Sequence, residues 1–146
     1  ILIPNACSIS SGPKTSFLAK SNTVIKMSDP TNEKTIVVVP CYNEELRFPK
    51  RNYLNFLSRD SGIKFLFVDD GSRDQTFKIL EGLRQENSNQ VGVLKLPINS
   101  GKAEAVRQGL LKAFESKPEF VAFWDCDLAT PLELLPSFIE IFKEHP

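Results

Sequence analysis

Four short runs of β-branched and aromatic residues recur along this chain at nearly constant intervals. They begin at Ile36, Ile63, Val91 and Phe120, spaced 27, 28 and 29 residues apart. Hairpins need only a few residues between strands. A strand, a helix and a return to the next parallel strand need about thirty. The runs Ile36–Val39, Ile63–Val68, Val91–Leu96 and Phe120–Trp124 are almost wholly apolar, interrupted only by Lys64 and Lys95, as strands covered on both faces are. The expected fold class is therefore α/β: a Rossmann-like, mainly parallel sheet with helices on both faces and right-handed crossovers.

The intervening segments carry helical patterns. Gly101–Glu115 places Ala103, Val106, Leu110, Ala113 and Phe114 on one stripe. Ser72 and Gln75 predict a capping box for a helix presenting Phe77, Leu80 and Leu83. A further helix is expected over Pro49–Leu57. After the last strand, Thr130 as cap, Pro131 at the first helical position and Glu133 three residues on predict another helix start, which Pro136 kinks or restarts.

The chain has 146 residues, the size of one domain. Residues 1–34 are rich in Ser, Asn, Thr, Lys and Pro without a sustained period, and predict a mostly disordered lead-in. Met27, the only methionine, is the expected natural start. Hydrophobic residues at 41% and charged residues at 25% suit a globular chain with a core. A formal net charge of +0 and the lack of a basic run argue against a nucleic-acid partner. No apolar run reaches the roughly 18 residues of a membrane segment. Cys7, Cys41 and Cys126 have no metal-site spacing and read as reduced thiols of an intracellular protein. The single histidine, His145, leaves no histidine metal site or His-based triad within this chain.

Parallel strands point their carboxyl ends at one edge. Here those ends lead into Pro40-Cys-Tyr-Asn-Glu-Glu45, Asp69-Asp-Gly-Ser-Arg-Asp74, Asn99-Ser-Gly-Lys102 and Asp125-Cys-Asp127. A nucleoside diphosphate suits this collection. Tyr42 offers a flat face to a base, and Asp70 an acceptor to a ring N–H or a ribose hydroxyl. Lys102, just inside a helix start, can meet a phosphate or the base edge. Asp125 and Asp127 supply hard oxygen donors for Mg²⁺ or Mn²⁺ shared with the diphosphate. No glycine-rich phosphate loop is present, so a metal is expected to carry the phosphate charge.

These four motifs, in this order and spacing over about residues 35–146, resemble the family 2 glycosyltransferases of the GT-A fold. Asp-Cys-Asp-Leu-Ala-Thr-Pro is most similar to the polyprenyl- and dolichyl-phosphate branch. The resemblance implies that residues 35–146 are the N-terminal, nucleotide-sugar-binding part of a glycosyltransferase domain. It implies that Pro40, Tyr42 and Glu44 line the base and ribose, that Asp70 bonds the base, and that Lys102 contacts the nucleotide. It further implies that Asp125 meets the ribose or the metal and that Asp127 ligates the metal. Cys126, between them, is counted with the nucleotide-sugar residues, and with Cys41 is expected near the same edge.

The reaction implied is inverting transfer of a sugar from a nucleotide donor, with an acceptor that the branch resemblance makes a lipid phosphate, as in cell-envelope glycan synthesis. The family's general base and acceptor pocket follow the Asp-x-Asp turn, so no base is assigned, and the 146 residues alone are expected to lack turnover. The expected place of action is the cytoplasm, or the inner membrane face through segments outside this chain. The mannosyltransferase branch carries a metal-binding Gln two residues after the second Asp. Ala129 stands there, which favours a UDP-sugar, glucose first, over GDP-mannose. A nucleotide-binding remnant without transfer is the alternative, and a phosphoacceptor signalling domain a remote one, since its paired acids follow the first strand.

Overall fold

The computed structural model of this chain describes residues 2–4, 35–59 and 62–144. Strands β1 (Leu2–Pro4), β2 (Thr35–Cys41), β3 (Ile63–Asp69), β4 (Val91–Lys95) and β5 (Phe120–Phe123) form one sheet ordered β1-β5-β2-β3-β4. Strands β5, β2, β3 and β4 run parallel, and β1 is antiparallel to β5. The helices are α1 (Lys50–Leu57), α2 (Thr76–Glu86), α3 (Lys102–Phe114) and α4 (Leu135–Glu144). Each apolar run is a strand, with ends within two residues of expectation. The α/β class and the parallel sheet are as expected.

Side-chain parity divides the core in two. Val37, Val39, Phe65, Phe67, Val91, Val93 and Ala122 face α1, α2 and α4 through Tyr53, Phe56, Leu80, Leu83, Leu135 and Ile139. Ile36, Val38, Leu66, Val68 and Val121 face α3 through Ala105 and Ala113. Both faces being covered explains why the strands read as almost wholly apolar runs.

Three local expectations change. Leu2–Pro4, inside the stretch expected to be mostly disordered, pairs with Phe120–Ala122 and covers the outer edge of β5. The rest of the lead-in, with Cys7 and Met27, lies outside the described residues, as does His145. Ser72 does not cap α2: Gln75 is the residue before the helix, its side chain makes no capping bond, and the Ser72 hydroxyl instead accepts the Asn43 N–H at 3.0 Å. Nor does Thr130 cap a helix. A short 3₁₀ turn, Leu132–Leu134, comes first, and α4 restarts at Leu135 with Pro136 in its first turn, where no N–H is needed.

The buried stripe of α3 is also rotated from the expected one. Ala105, Gly109 and Ala113 are buried, whereas Ala103 is exposed. Gly109 sets this rotation. A Cβ built there would lie 2.3 Å from Val38 Cγ1 and 2.8 Å from Val68 Cγ2. The helix backbone therefore lies directly on the sheet. Gly109→Ala should force α3 outward and destabilise the fold by about 1–3 kcal/mol. Chemical denaturation measures this, and an unchanged midpoint would show that the contact is not tight.

Candidate functional site

The chain passes from β2 outward to β3 and β4, then returns through α3 to β5 on the other side of β2. Strands β2 and β5 are therefore parallel neighbours at the point where the strand order reverses. In open α/β sheets the resulting crevice at the carboxyl edge is the ligand site. Tyr42 and Glu44 follow β2, and Asp125 and Asp127 follow β5, so the sheet order brings these two motifs to one switch point.

The Asp125–Asp127 turn is fixed from beneath. The Trp124 N–H donates to the Val38 carbonyl at 2.9 Å, and its indole N–H to the Thr130 carbonyl at 2.8 Å. The Leu128 N–H donates to the Asp125 carbonyl at 3.3 Å, with Leu128 at φ 57°. Counting on from the Val38–Phe123 register sets Cys126 opposite Cys41, and their sulfurs are 3.3 Å apart. Both cysteines are buried. The hydrogen bond to Cys126, with burial, holds the Cys41 thiol well above its usual range, so it stays neutral. Cys126 thus faces the core rather than the rim, and supports the turn rather than lining the open site.

Above this floor the acids sit in different surroundings. Asp127 is exposed and accepts the Ala129 N–H at 3.0 Å, closing an Asx turn. Asp125 Oδ1 is buried and, among the described residues, takes no hydrogen bond of good geometry; what faces it is the Lys102 ammonium, 2.6 Å away. The structure therefore joins Lys102 and Asp125, which are far apart in sequence.

Asp70 sits elsewhere than at an open rim. It is buried, and its oxygens accept the Ser100 N–H at 2.8 Å, the Gly101 N–H at 2.9 Å and the Asn99 amide at 3.1 Å. It organises the turn that presents Lys102. Gly71 allows the two loops to touch: at φ +66°, a Cβ there would lie 2.4 Å from the Ile98 carbonyl carbon. The neighbouring Asp69, which sequence reasoning passed over, is fully buried. Its Oδ1 accepts the Ser72 N–H at 3.2 Å, while Oδ2 has no partner among the described residues.

The loop after β2 is laced to the loop after β3. Asn43 accepts the Arg73 N–H at 2.9 Å, Glu45 Oε2 accepts the Gln75 N–H at 3.1 Å, and the Glu44 N–H donates to the Thr76 hydroxyl at 2.7 Å. Asp74 completes the lacing, accepting from the Glu45 N–H at 3.1 Å and the Thr76 N–H at 2.9 Å. Tyr42 is 39% exposed beside this network, consistent with a platform for a planar group. Glu44 is partly buried and paired with Arg47 at 3.1 Å. Pro40 is buried within β2, so it shapes the strand end rather than the open surface.

Sequence comparison gives the family. The description "Glycosyl transferase family 2" matches residues 36–146. This chain belongs to glycosyl transferase family 2. A dolichyl-phosphate beta-glucosyltransferase of Mus musculus is 38% identical over 111 residues, covering 70% of this chain and 33% of the relative. An undecaprenyl-phosphate 4-deoxy-4-formamido-L-arabinose transferase of Pseudomonas aeruginosa is 31% identical, covering 71% of this chain and 31% of the relative. The crystal structure of S. aureus TarS 1-349 with UDP-GlcNAc superposes with a TM-score of 0.62 at 31% identity, covering 77% of this chain and 32% of that one. The fold is that of the GT-A glycosyltransferases, and the resemblance to the polyprenyl-phosphate branch holds. The chain spans about a third of the length of these curated relatives.

Among the described residues of this family 2 chain, no three His, Cys, Asp or Glu side chains cluster to hold a metal. Two carboxylates are what Mg²⁺ or Mn²⁺ needs when phosphate oxygens and water complete its shell. The buried oxygen of Asp125, with only an ammonium against it among the described residues, fits such an ion.

Two outcomes test this geometry. Asp70→Ala leaves the Ser100 and Gly101 N–H groups without their acceptor, at a cost of roughly 2–3 kcal/mol. Their amide exchange should accelerate, and unchanged exchange would show that another group holds the turn. Burial works against ionisation of Asp74, but the bonds from Thr76 and Glu45 outweigh it and hold its carboxyl below the usual 3.8. The charged form is thus favoured by folding, and its contribution is present above pH 3.8 and lost as pH falls through the depressed value. Denaturation midpoints of wild type and Asp74→Ala, followed from about pH 6 to about pH 2, should converge at the acid end.

Proposed function

We propose that this chain is the nucleotide-sugar-binding part of an inverting glycosyltransferase that takes a UDP-sugar, glucose first, for transfer to a polyprenyl phosphate. The observation that carries this reading is the Asp125–Asp127 turn at the sheet's switch point, with a buried carboxylate oxygen that, among the described residues, faces a cation and no hydrogen-bond donor of good geometry. The mouse relative, named for dolichyl phosphate and glucose, supports the choice of donor and acceptor, and the UDP-GlcNAc held by TarS supports a UDP-linked donor. Ala129, exposed two residues after Asp127, has no side chain to offer a metal and keeps UDP ahead of GDP-mannose.

In this reading Asp125 and Asp127 would hold Mg²⁺ or Mn²⁺. Such an ion, when bound, offsets the negative charge that builds on a diphosphate leaving group. The chain's own residues position the donor. Tyr42 stacks on the base, with Pro40 and Glu44 beneath and beside it. Asp69, whose buried Oδ2 has no partner among the described residues, would be the acceptor for a base N–H, and Asp70 acts through the turn it holds. Lys102 meets the diphosphate at the start of α3. A phosphate acceptor is already an anion, so it needs no general base to deprotonate it.

Thermal shift tests the reading. UDP-glucose with Mn²⁺, at about 100 times its dissociation constant, adds roughly 2.7 kcal/mol and should raise the melting temperature by several degrees. GDP-mannose with Mn²⁺ should do less. Asp127→Asn should keep the wild-type melting temperature without ligand and lose the metal-dependent part of the shift. A shift of wild-type size in Asp127→Asn would remove this residue from the metal site.

A further inference from the structure

Lys102 is the first residue of α3. The first turn of a helix carries unpaired N–H groups and the positive end of the dipole, so it favours anions and disfavours cations. Gly101, at φ 90°, precedes Lys102, and no side chain caps the helix. Glu104, the acid of the first turn, is engaged by Arg107 at 2.6 and 2.7 Å and by Gln108 at 2.8 Å. An ammonium here therefore needs an anionic partner beyond its own helix. Its partner is Asp125 Oδ1, the oxygen that a shared divalent ion would also need.

We propose that Lys102 holds the metal position on Asp125 while no nucleotide is bound, and yields it when a nucleoside diphosphate arrives with its divalent ion. This rests on the reading that Asp125, Asp127 and a diphosphate share that ion. Two cations at one carboxylate oxygen repel, so metal alone must displace the ammonium with nothing to receive it. A diphosphate receives it, at a helix start that already favours anions. The side chains of Lys102 and Asp125 are 62% and 45% exposed, so the pair is weak enough to exchange readily. Metal and diphosphate each lower the other's obstacle, and linkage makes that coupling reciprocal.

The test is the Mn²⁺ affinity of the whole chain, read from the electron paramagnetic resonance of free Mn²⁺, with and without UDP. Lys102→Met removes the charge and keeps a good helix former at the position. Without UDP, this variant should bind Mn²⁺ about three- to fivefold more tightly than wild type. The gain in Mn²⁺ affinity caused by UDP should be smaller in the variant than in wild type. Lys102→Arg, which keeps the charge, should follow wild type. A Lys102→Met chain that binds Mn²⁺ no more tightly without UDP overturns the exchange. If wild type nonetheless binds Mn²⁺ in the presence of UDP, the site reading stands and only the exchange falls. If wild type binds no Mn²⁺ with UDP either, both fall.

Discussion

The Asp70 carboxylate, at the end of β3, gathers the donors of the turn before α3. Bonds of 2.8, 2.9 and 3.1 Å to Ser100, Gly101 and Asn99 fix where α3 begins, and hence where Lys102 stands. A charged acceptor serves here because one carboxylate can satisfy several donors at once, in surroundings where each bond is stronger than in water. Gly71 lets the two loops close on each other, and Gly109 lets α3 lie against Val38 and Val68. The helix is thus held at its start by hydrogen bonds and along its length by close packing. The Lys102–Asp125 pair depends on both.

The other half of the site rests on the sheet. Because β5 returns beside β2, Cys126 comes to lie against Cys41, and the Asp125–Asp127 turn is seated on two buried thiols. A small residue between the acids lets the turn sit low over the sheet. The loop after β2 has its own support in the lacing to Asp74 and Thr76, so Tyr42 can be exposed without its backbone being loose. The site is built from loops, yet each loop is tied to a strand end or a helix start. That suits binding groups that must be held before the ligand arrives.

Much of this was legible in the sequence. The interval between apolar runs gave the parallel sheet, and the polar residues after each run gave the edge where the candidate site gathers. The helix starts were less legible. Ser72 has the right spacing for a capping box, but its hydroxyl is taken by Asn43 from another loop. The stripe on α3 could not be placed from hydrophobicity alone, because the closest contact is made by Gly109, which has no side chain to count. Leu2–Pro4 is three residues long and pairs with a strand more than a hundred residues away, too short a segment for any period to mark. The different roles of Asp69 and Asp70 were within reach. Alternation puts Asp70 on the Val68 side, facing α3, and Asp69 on the Phe67 side.

By itself the sequence determined the fold class, the edge of the sheet that carries the site, and the family, because those follow from local periodicity and from residues adjacent in the chain. Tertiary structure decided which acid is consumed by the scaffold and which oxygen remains without a partner. It also decided that Lys102 meets Asp125, and that the two cysteines form a floor rather than a lining. Those outcomes depend on sheet order and on loops touching across it. Residues brought together by β5 returning beside β2 carry no mark of their meeting in the linear chain.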